Sequence, residues 1–249
     1  MLELNRISAG YGKQTVLDGI SVDFEKGKLT SIIGVNGCGK STLLKAILGI
    51  LSLSSGEIFI DGENLLTISR NEIAKKIAYL SQGKNIPDMT VEQMVLHGRF
   101  PYLSYPRRYS SHDREVAIKA MEAVGIAEFA HKPLYSLSGG MRQNAYIAMA
   151  LAQDTDYILL DEPTTYLDIA HQLELMRILR KLADSGKGIV TVMHNLPIAF
   201  DFSDKLTVMS NGKLIAYGTP SEICESHIVE DIFGVKIKQA QKGKYLYEY

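Results

Sequence analysis

The chain has 249 residues, long for one ordinary core and short for two full domains, so one domain carrying an inserted subdomain is expected. Lys and Arg number 27 against 28 Asp and Glu, and the formal charge of −1 gives no general attraction for nucleic acid. No basic segment leads into an apolar run at the N-terminus, and the apolar cluster near Ala46 to Leu53 falls far short of about 20 residues, so neither a secretory leader nor a membrane span is expected.

In chain order, apolar and polar residues alternate over Leu2 to Ile7 and over Val16 to Phe24, the pattern of strands in a half-exposed antiparallel sheet. Leu29 to Ile33 reads instead as a strand buried on both faces of a parallel sheet. It passes directly into Gly34-Val-Asn-Gly-Cys-Gly-Lys-Ser-Thr42, a full match to the phosphate-binding P-loop pattern, and a helical pattern follows from Ser41 to Leu48. Lacking a Cβ, Gly37 and Gly39 let the chain turn tightly. The loop through Gly34, Asn36, Gly37, Cys38, Gly39, Lys40, Ser41 and Thr42 can then aim successive N–H groups at phosphate oxygens. The helix behind it presents its N-terminus to the same anion. Lys40 is expected to reach the β- and γ-phosphates, and the Ser41 hydroxyl to ligate a bridging Mg²⁺. The sequence therefore predicts binding of a nucleoside triphosphate.

Alternation returns over Glu57 to Ile60, and Ile77 to Leu80 is a second apolar run. From about residue 84 to 155 strand character is scarce and helix starts recur: Thr90-Val-Glu-Gln93 has the form of a capping box, and Glu115 to Val124 carries a helical pattern ending at Gly125. Residues 84–155 are expected to form a helical subdomain inserted in an α/β core that 156–249 completes. Leu137-Ser-Gly-Gly140-Met-Arg-Gln143 opens a further helical run through Ala152. The apolar run Tyr157 to Leu160 ends in Asp161-Glu162-Pro163, which aims Asp161 at a metal shell and Glu162, as general base, at an attacking water. Ile189 to Met193 is a fourth run, and Asn211-Gly212 between Leu206 to Met209 and Leu214 to Tyr217 signals a hairpin. Cys38 and Cys224 form no CxxC pattern and are expected to stay reduced, and six scattered histidines suggest no metal cage.

With P-loop, Leu137-Ser-Gly-Gly140 and carboxylate strand in this order, the chain resembles the ATP-binding subunits of ABC transporters, whose signature is LSGGQ, over nearly its whole length. The resemblance implies a P-loop NTPase core with an N-terminal antiparallel β subdomain and an inserted α-helical subdomain. It also implies roles for Tyr11 (stacking on adenine), Gln82 (contacting Mg²⁺ or the lytic water), Asp168 in the Leu167-Asp168 loop, and His194 (hydrogen-bonding the γ-phosphate). Glu162, His194, Gln82 and Lys40 are then the catalytic set, and Ser41, Gln82 and Asp161 the metal set. Ser138, Gly139 and Gly140 would serve the ATP held by a second copy, so that a homodimer clamps two ATP molecules. Met141 and Asn144 depart from the Gln and Arg common at those positions. Cys38 replaces a common Ser, and its closeness to Lys40 and a helix N-terminus implies a reactive thiol that maleimide would block, with Cys224 as the competing target.

Within that family, Gly98-Arg-Phe-Pro-Tyr102, Arg107-Arg108-Tyr109, Asp113-Arg114, Thr164-Thr-Tyr-Leu-Asp-Ile169 and His171-Gln172 resemble importer subunits for ferric siderophores, ferric dicitrate, haem and cobalamin. The resemblance implies multispanning permease subunits as partners, a substrate-binding protein reached through them, and a peripheral place at the cytoplasmic face of the cell membrane. The four arginines between Arg99 and Arg114, interleaved with aromatics, admit three readings: a solvated face, a permease-facing surface or a nucleic-acid surface. A soluble ATPase of iron–sulfur assembly is the alternative function. A P-loop kinase would have no use for LSGG or for the Leu167-Asp168 loop.

Overall fold

In the computed structural model, residues 1–81, 86–165, 167–241 and 243–248 are described. The alternating N-terminal segments become β1 (Leu2–Tyr11) and β2 (Gln14–Phe24), paired antiparallel with Leu2 opposite Phe24. The buried strand β3 (Leu29–Gly34) then leads through the P-loop into α1 (Lys40–Ile47). Next, β4 (Leu53–Ile60) returns antiparallel along the other side of β1, and the short β5 (Glu63–Asn64) completes a sheet of order β2-β1-β4-β5. After α2 (Arg70–Lys76), β6 (Ile77–Leu80) enters a second sheet.

Helices follow without a strand among the described residues: α3 (Val91–Leu96), a 3₁₀ stretch His97–Tyr102, α4 (Ser111–Ala123) and α5 (Gly139–Ala152). Capping boxes at Thr90 and Ser110 start α3 and α4, and Gly125 at φ 71° lies just beyond the α4 C-cap. The second sheet resumes with β7 (Tyr157–Asp161), α6 (Ile169–Asp184), β8 (Gly188–Val192), α7 (Leu196–Phe202), β9 (Lys205–Ser210) and β10 (Lys213–Gly218). Its order is β10-β9-β3-β8-β7-β6, parallel from β9 to β6, with β10 antiparallel at the edge. The chain ends with α8 (Pro220–Glu225), α9 (Ile228–Phe233) and a hairpin, β11 (Lys236–Gln241) and β12 (Lys244–Glu248). That hairpin docks on α7, where Tyr245 stacks 5.1 Å from Phe200 and its N–H donates to Asp201 Oδ1 at 2.7 Å.

Two apolar cores hold the P-loop in place. Leu2, Leu4, Ile20 and Phe24 of the first sheet pack with Leu43, Leu44 and Ile47 of α1 and with Ile32 and Val190 of the second. Each such buried side chain contributes about 1.5–3 kcal/mol. The other core joins α3, α4 and α5 to the opposite face of the parallel sheet through Val95, Met121, Ile147, Ile158 and Leu160.

The arginine-rich segment resolves in an unexpected way. Arg99 is not on the surface: its Nε donates to Asp113 Oδ1 at 2.9 Å and its Nη1 to Ala152 O at 3.0 Å, tying the 3₁₀ stretch to α4 and α5. Its guanidinium also lies 4.0 Å from the Tyr102 ring. Burial disfavours the Asp113 charge, but hydrogen bonds from the Ser110 side chain and backbone, and then from Arg99, outweigh it and hold the carboxyl at about 2. Arg107, Arg108 and Arg114 stay exposed, with Arg107 stacked 4.5 Å over Phe100.

Candidate active site at the carboxyl edge of the parallel sheet

In an open parallel sheet the carboxyl ends of the strands form the crevice where ligands bind. Three neighbouring strands deliver the candidate residues there: β3 runs into the P-loop, β7 ends at Asp161 followed by Glu162, and β8 is followed by Met193 and His194. Val16, Asn36, Gly37, Gly39, Lys40, Ser41, Thr42, Glu162 and His194 line one pocket at this edge. Gln82, two residues beyond β6, lies outside the described residues. Tyr11, at the end of β1, is half exposed.

Gly37 at φ 77° and Gly39 at φ 106° adopt left-handed backbone that other residues rarely take, which curls the loop around Lys40. Lys40 is buried, and its Nζ donates to Gly34 O at 2.8 Å and Val35 O at 3.0 Å. The ammonium is thereby held at the loop's centre. Ser41 Oγ donates to Asp161 Oδ1 at 3.0 Å, so a hydroxyl and a carboxylate converge from α1 and β7. Such hard oxygen donors beside a glycine-lined N–H cradle fit Mg²⁺ and a triphosphate. Burial pushes the Asp161 carboxyl above the usual range; its bond from Ser41 opposes this, the charge of Glu162 adds to it, and a 3.4 Å bond from Tyr79 OH opposes it again.

Glu162 sits at φ 52°, left-handed although it is not glycine, a strain of order 1–3 kcal/mol that clusters at functional sites. Its Oε1 lies 2.6 Å from His194 Nε2, and Thr165 Oγ1 donates to its Oε2 at 3.4 Å. An ionised carboxylate only accepts, so Nε2 carries the proton in this pair.

Cys38 does not sit as the sequence suggested. Its side chain is only 3% exposed, packed in the core with Ile32 and Leu43, while Gly34 passes so close that an added Cβ would lie 2.6 Å from the sulfur. The thiol lies 4.0 Å from Lys40 Nζ but is enclosed by this packing and does not line the pocket. The closeness to Lys40 is as expected, whereas burial corrects the expectation that a reagent reaches the thiol.

Ser138, Gly139 and Gly140 open α5 but do not line the pocket. Ser138 Oγ caps the helix by accepting from Met141 N at 3.3 Å, and Arg142 Nη1 donates to Leu137 O at 3.0 Å. Met141 packs on the core, and Asn144 Nδ2 donates to Val124 O at 3.2 Å, closing the end of α4. Both departures thus have structural roles. Asp168 caps α6, accepting from His171 N at 2.9 Å, and that bond with the His171 ring holds its carboxyl below the usual range. Sequence reasoning missed Val16 and Tyr79, since a valine and a tyrosine in strand patterns carry no signal beyond core packing.

Residues 17–165 match the sequence profile of the ABC transporter family. A petrobactin import ATP-binding protein of Bacillus anthracis is 40% identical over 234 residues, covering 93% of this chain and 86% of its own. A ferric enterobactin transport ATP-binding protein of Escherichia coli K12 is 40% identical over 233 residues, with the same 93% and 86% coverage. Among solved structures, an inward-facing ABC transporter assigned to the metal-chelate type superposes with a TM-score of 0.86 at 28% identity, covering 100% of this chain and 97% of that one.

Proposed function

The chain belongs to the ABC transporter family, and we propose that it is the ATP-hydrolysing subunit of an importer for a ferric siderophore or a related iron complex, haem or cobalamin. One observation carries this reading: Lys40, Ser41, Asp161, Glu162 and His194 converge from the ends of three adjacent strands. Relatives named for petrobactin import and ferric enterobactin transport support the cargo class and give the iron–sulfur alternative no support.

The chain binds ATP and hydrolyses it. On this reading the loop N–H groups and Lys40 hold the phosphates, and Tyr11 stacks on the base. Ser41 and Asp161 would hold Mg²⁺, which supplies charge neutralisation across the β- and γ-phosphates when bound. Glu162 accepts the proton of the attacking water, and His194, donating to Glu162 through Nε2, fixes the carboxylate's orientation.

The signature residues lie outside this pocket, and on this reading each chain holds half of each site. A second copy related by a twofold axis supplies Ser138, Gly139 and Gly140 to the phosphates. No helix among the described residues is long and apolar enough to cross a membrane. On the importer reading, the chain works at the cytoplasmic face with separate permease subunits, which receive cargo from a binding protein. The exposed Arg107 and Arg108 belong to the face offered to that permease.

The test is uptake of labelled ferric chelates, haem and cobalamin in cells lacking the chain. Loss of one uptake activity, restored by the native chain but not by Glu162→Gln, is expected. Unchanged uptake of every compound, or restoration by Glu162→Gln, would overturn the reading. Mixing Lys40→Ala with Ser138→Arg chains tests the shared site, since half of the sites in a mixed dimer escape both lesions and some hydrolysis should return.

A further inference from the structure

The start of α6 holds an arrangement that the phosphate chemistry leaves unused. His171 Nδ1 lies 2.8 Å from both Oδ1 and Oδ2 of Asp168, so the ring is fixed on the carboxylate that caps its own helix. The opposite edge of the same imidazole presses on the signature. A Cβ built on Gly140 would stand 2.3 Å from His171 Cδ2 and 2.9 Å from Nε2, closer than real Cβ contacts come. Only a glycine admits the ring there. Gln172, the next residue, faces the other way and donates through Nε2 to Leu167 O at 3.0 Å and Thr164 O at 3.4 Å. The loop carrying Asp168 is thus pinned from both sides. Gly139 and Gly140 have no side chains with which to pack, so the ring of His171 is the side chain that joins Gly140 to Asp168.

We propose that His171 is a positioning residue, joining Asp168 to Gly140 so that the two segments move together when they meet a second copy. The proposal rests on the composite-site reading. An imidazole suits the task because it is flat against a glycine and donates from one edge. An ionised Asp168 only accepts, so Nδ1 carries the proton and Nε2 faces the signature.

The first measurement compares ATP binding with ATP hydrolysis. His171→Ala should bind a fluorescent ATP analogue as the native chain does, since the P-loop pocket is untouched. Its turnover should fall roughly tenfold or more, within the about 100-fold that a 1 Å misplacement can cost. His171→Gln separates the bridge from simple capping, because a Gln three residues after an N-cap still completes a capping box. Native melting temperature with turnover still depressed is expected; full recovery of turnover by Gln would overturn the bridge. A double-mutant cycle adds a steric check. Gly140→Ala should lower turnover by a larger factor when His171 is present than in His171→Ala, whose short side chain leaves the new methyl room. Independent, multiplying losses would overturn the proposal. Dimerisation of the Glu162→Gln chain with ATP separates the two ideas. A dimer that forms equally well with His171→Ala, with turnover unaffected, removes the bridge and leaves the composite site standing. Absence of a dimer even with His171 intact removes both.

Discussion

His194 Nε2 and Glu162 Oε1 lie 2.6 Å apart, although their residues follow two different strands, β8 and β7. Glu162 holds this position at the cost of a left-handed backbone, so the contact is over-determined by the sheet rather than a chance meeting of surface side chains. Glu162→Gln keeps the shape and loses the basic oxygen; turnover should fall by about 10²- to 10⁴-fold while ATP binding persists. If His194 acts through this carboxylate, His194→Ala added to Glu162→Gln should slow turnover little more. Single-turnover hydrolysis of the four chains checks this, and independent effects would separate the two roles.

Arg99 and Asp113 should behave as a buried structural pair. Arg99→Ala leaves the Asp113 carboxylate buried without its cation and should destabilise the chain by about 3–5 kcal/mol in denaturant titration. The pair also gives a definite acid signature. The Asp113 carboxyl is held at about 2, below its ordinary 3.8, so its contribution is fully present above 3.8 and is lost as pH falls through 2. Stability of the native chain minus that of Asp113→Asn should be constant at higher pH and shrink across that interval. A difference independent of pH would show that the Asp113 charge does not stabilise the fold.

The accessible thiol implied by the sequence should be absent. Cys38 is buried behind the P-loop, whereas Cys224 is partly exposed on α8. Maleimide should spare Cys38 in the native chain whether or not Mg-ATP is present, and label it on unfolding. Mass mapping of labelled peptides decides this, and rapid, ATP-protected labelling of Cys38 would restore the original expectation.

What the sequence announces and what it conceals follow from local physics. Leu29 to Ile33, Ile77 to Leu80, Tyr157 to Leu160 and Ile189 to Val192 fall in parallel strands, because burial on both faces favours mainly apolar residues, with Thr30, Ser31 and Thr191 buried among them. Asn211-Gly212 makes the β9–β10 turn at φ 48° and 76°, a backbone few other residue pairs adopt readily. The β11–β12 hairpin was not legible, since Lys236, Lys238 and Gln239 face solvent and its fixing contacts come from Phe200 and Asp201, far earlier in the chain. Within the site, motifs pointed to Lys40, Ser41, Asp161 and Glu162, and the family resemblance to His194. The burial of Arg99 and Cys38 depended on tertiary neighbours that no local pattern records. The wedge of His171 against Gly140 joins residues from different helices and was equally hidden.

The hairpin turn gives the last prediction, because its tip is joined to the P-loop. Gly212 N donates to Cys38 O at 3.0 Å, and Gly212 O accepts from Asp18 N at 2.9 Å, linking the turn to the loop and to β2. At φ +76° an alanine is strained, and its Cβ would fall 2.1 Å from Val16 O, a backbone atom that cannot swing aside. Gly212→Ala must therefore displace the turn, the Val16 segment or the P-loop carbonyl. It should lower stability by about 1–3 kcal/mol and weaken ATP binding, although residue 212 touches no phosphate. Asn211→Gly changes the neighbouring residue without adding bulk at a left-handed position, and should preserve ATP affinity. Calorimetric binding and thermal unfolding of both variants decide the matter. A Gly212→Ala chain that melts early yet binds ATP with native affinity would confine the turn to a purely structural role, whereas loss in both readouts, absent from Asn211→Gly, ties it to the nucleotide site.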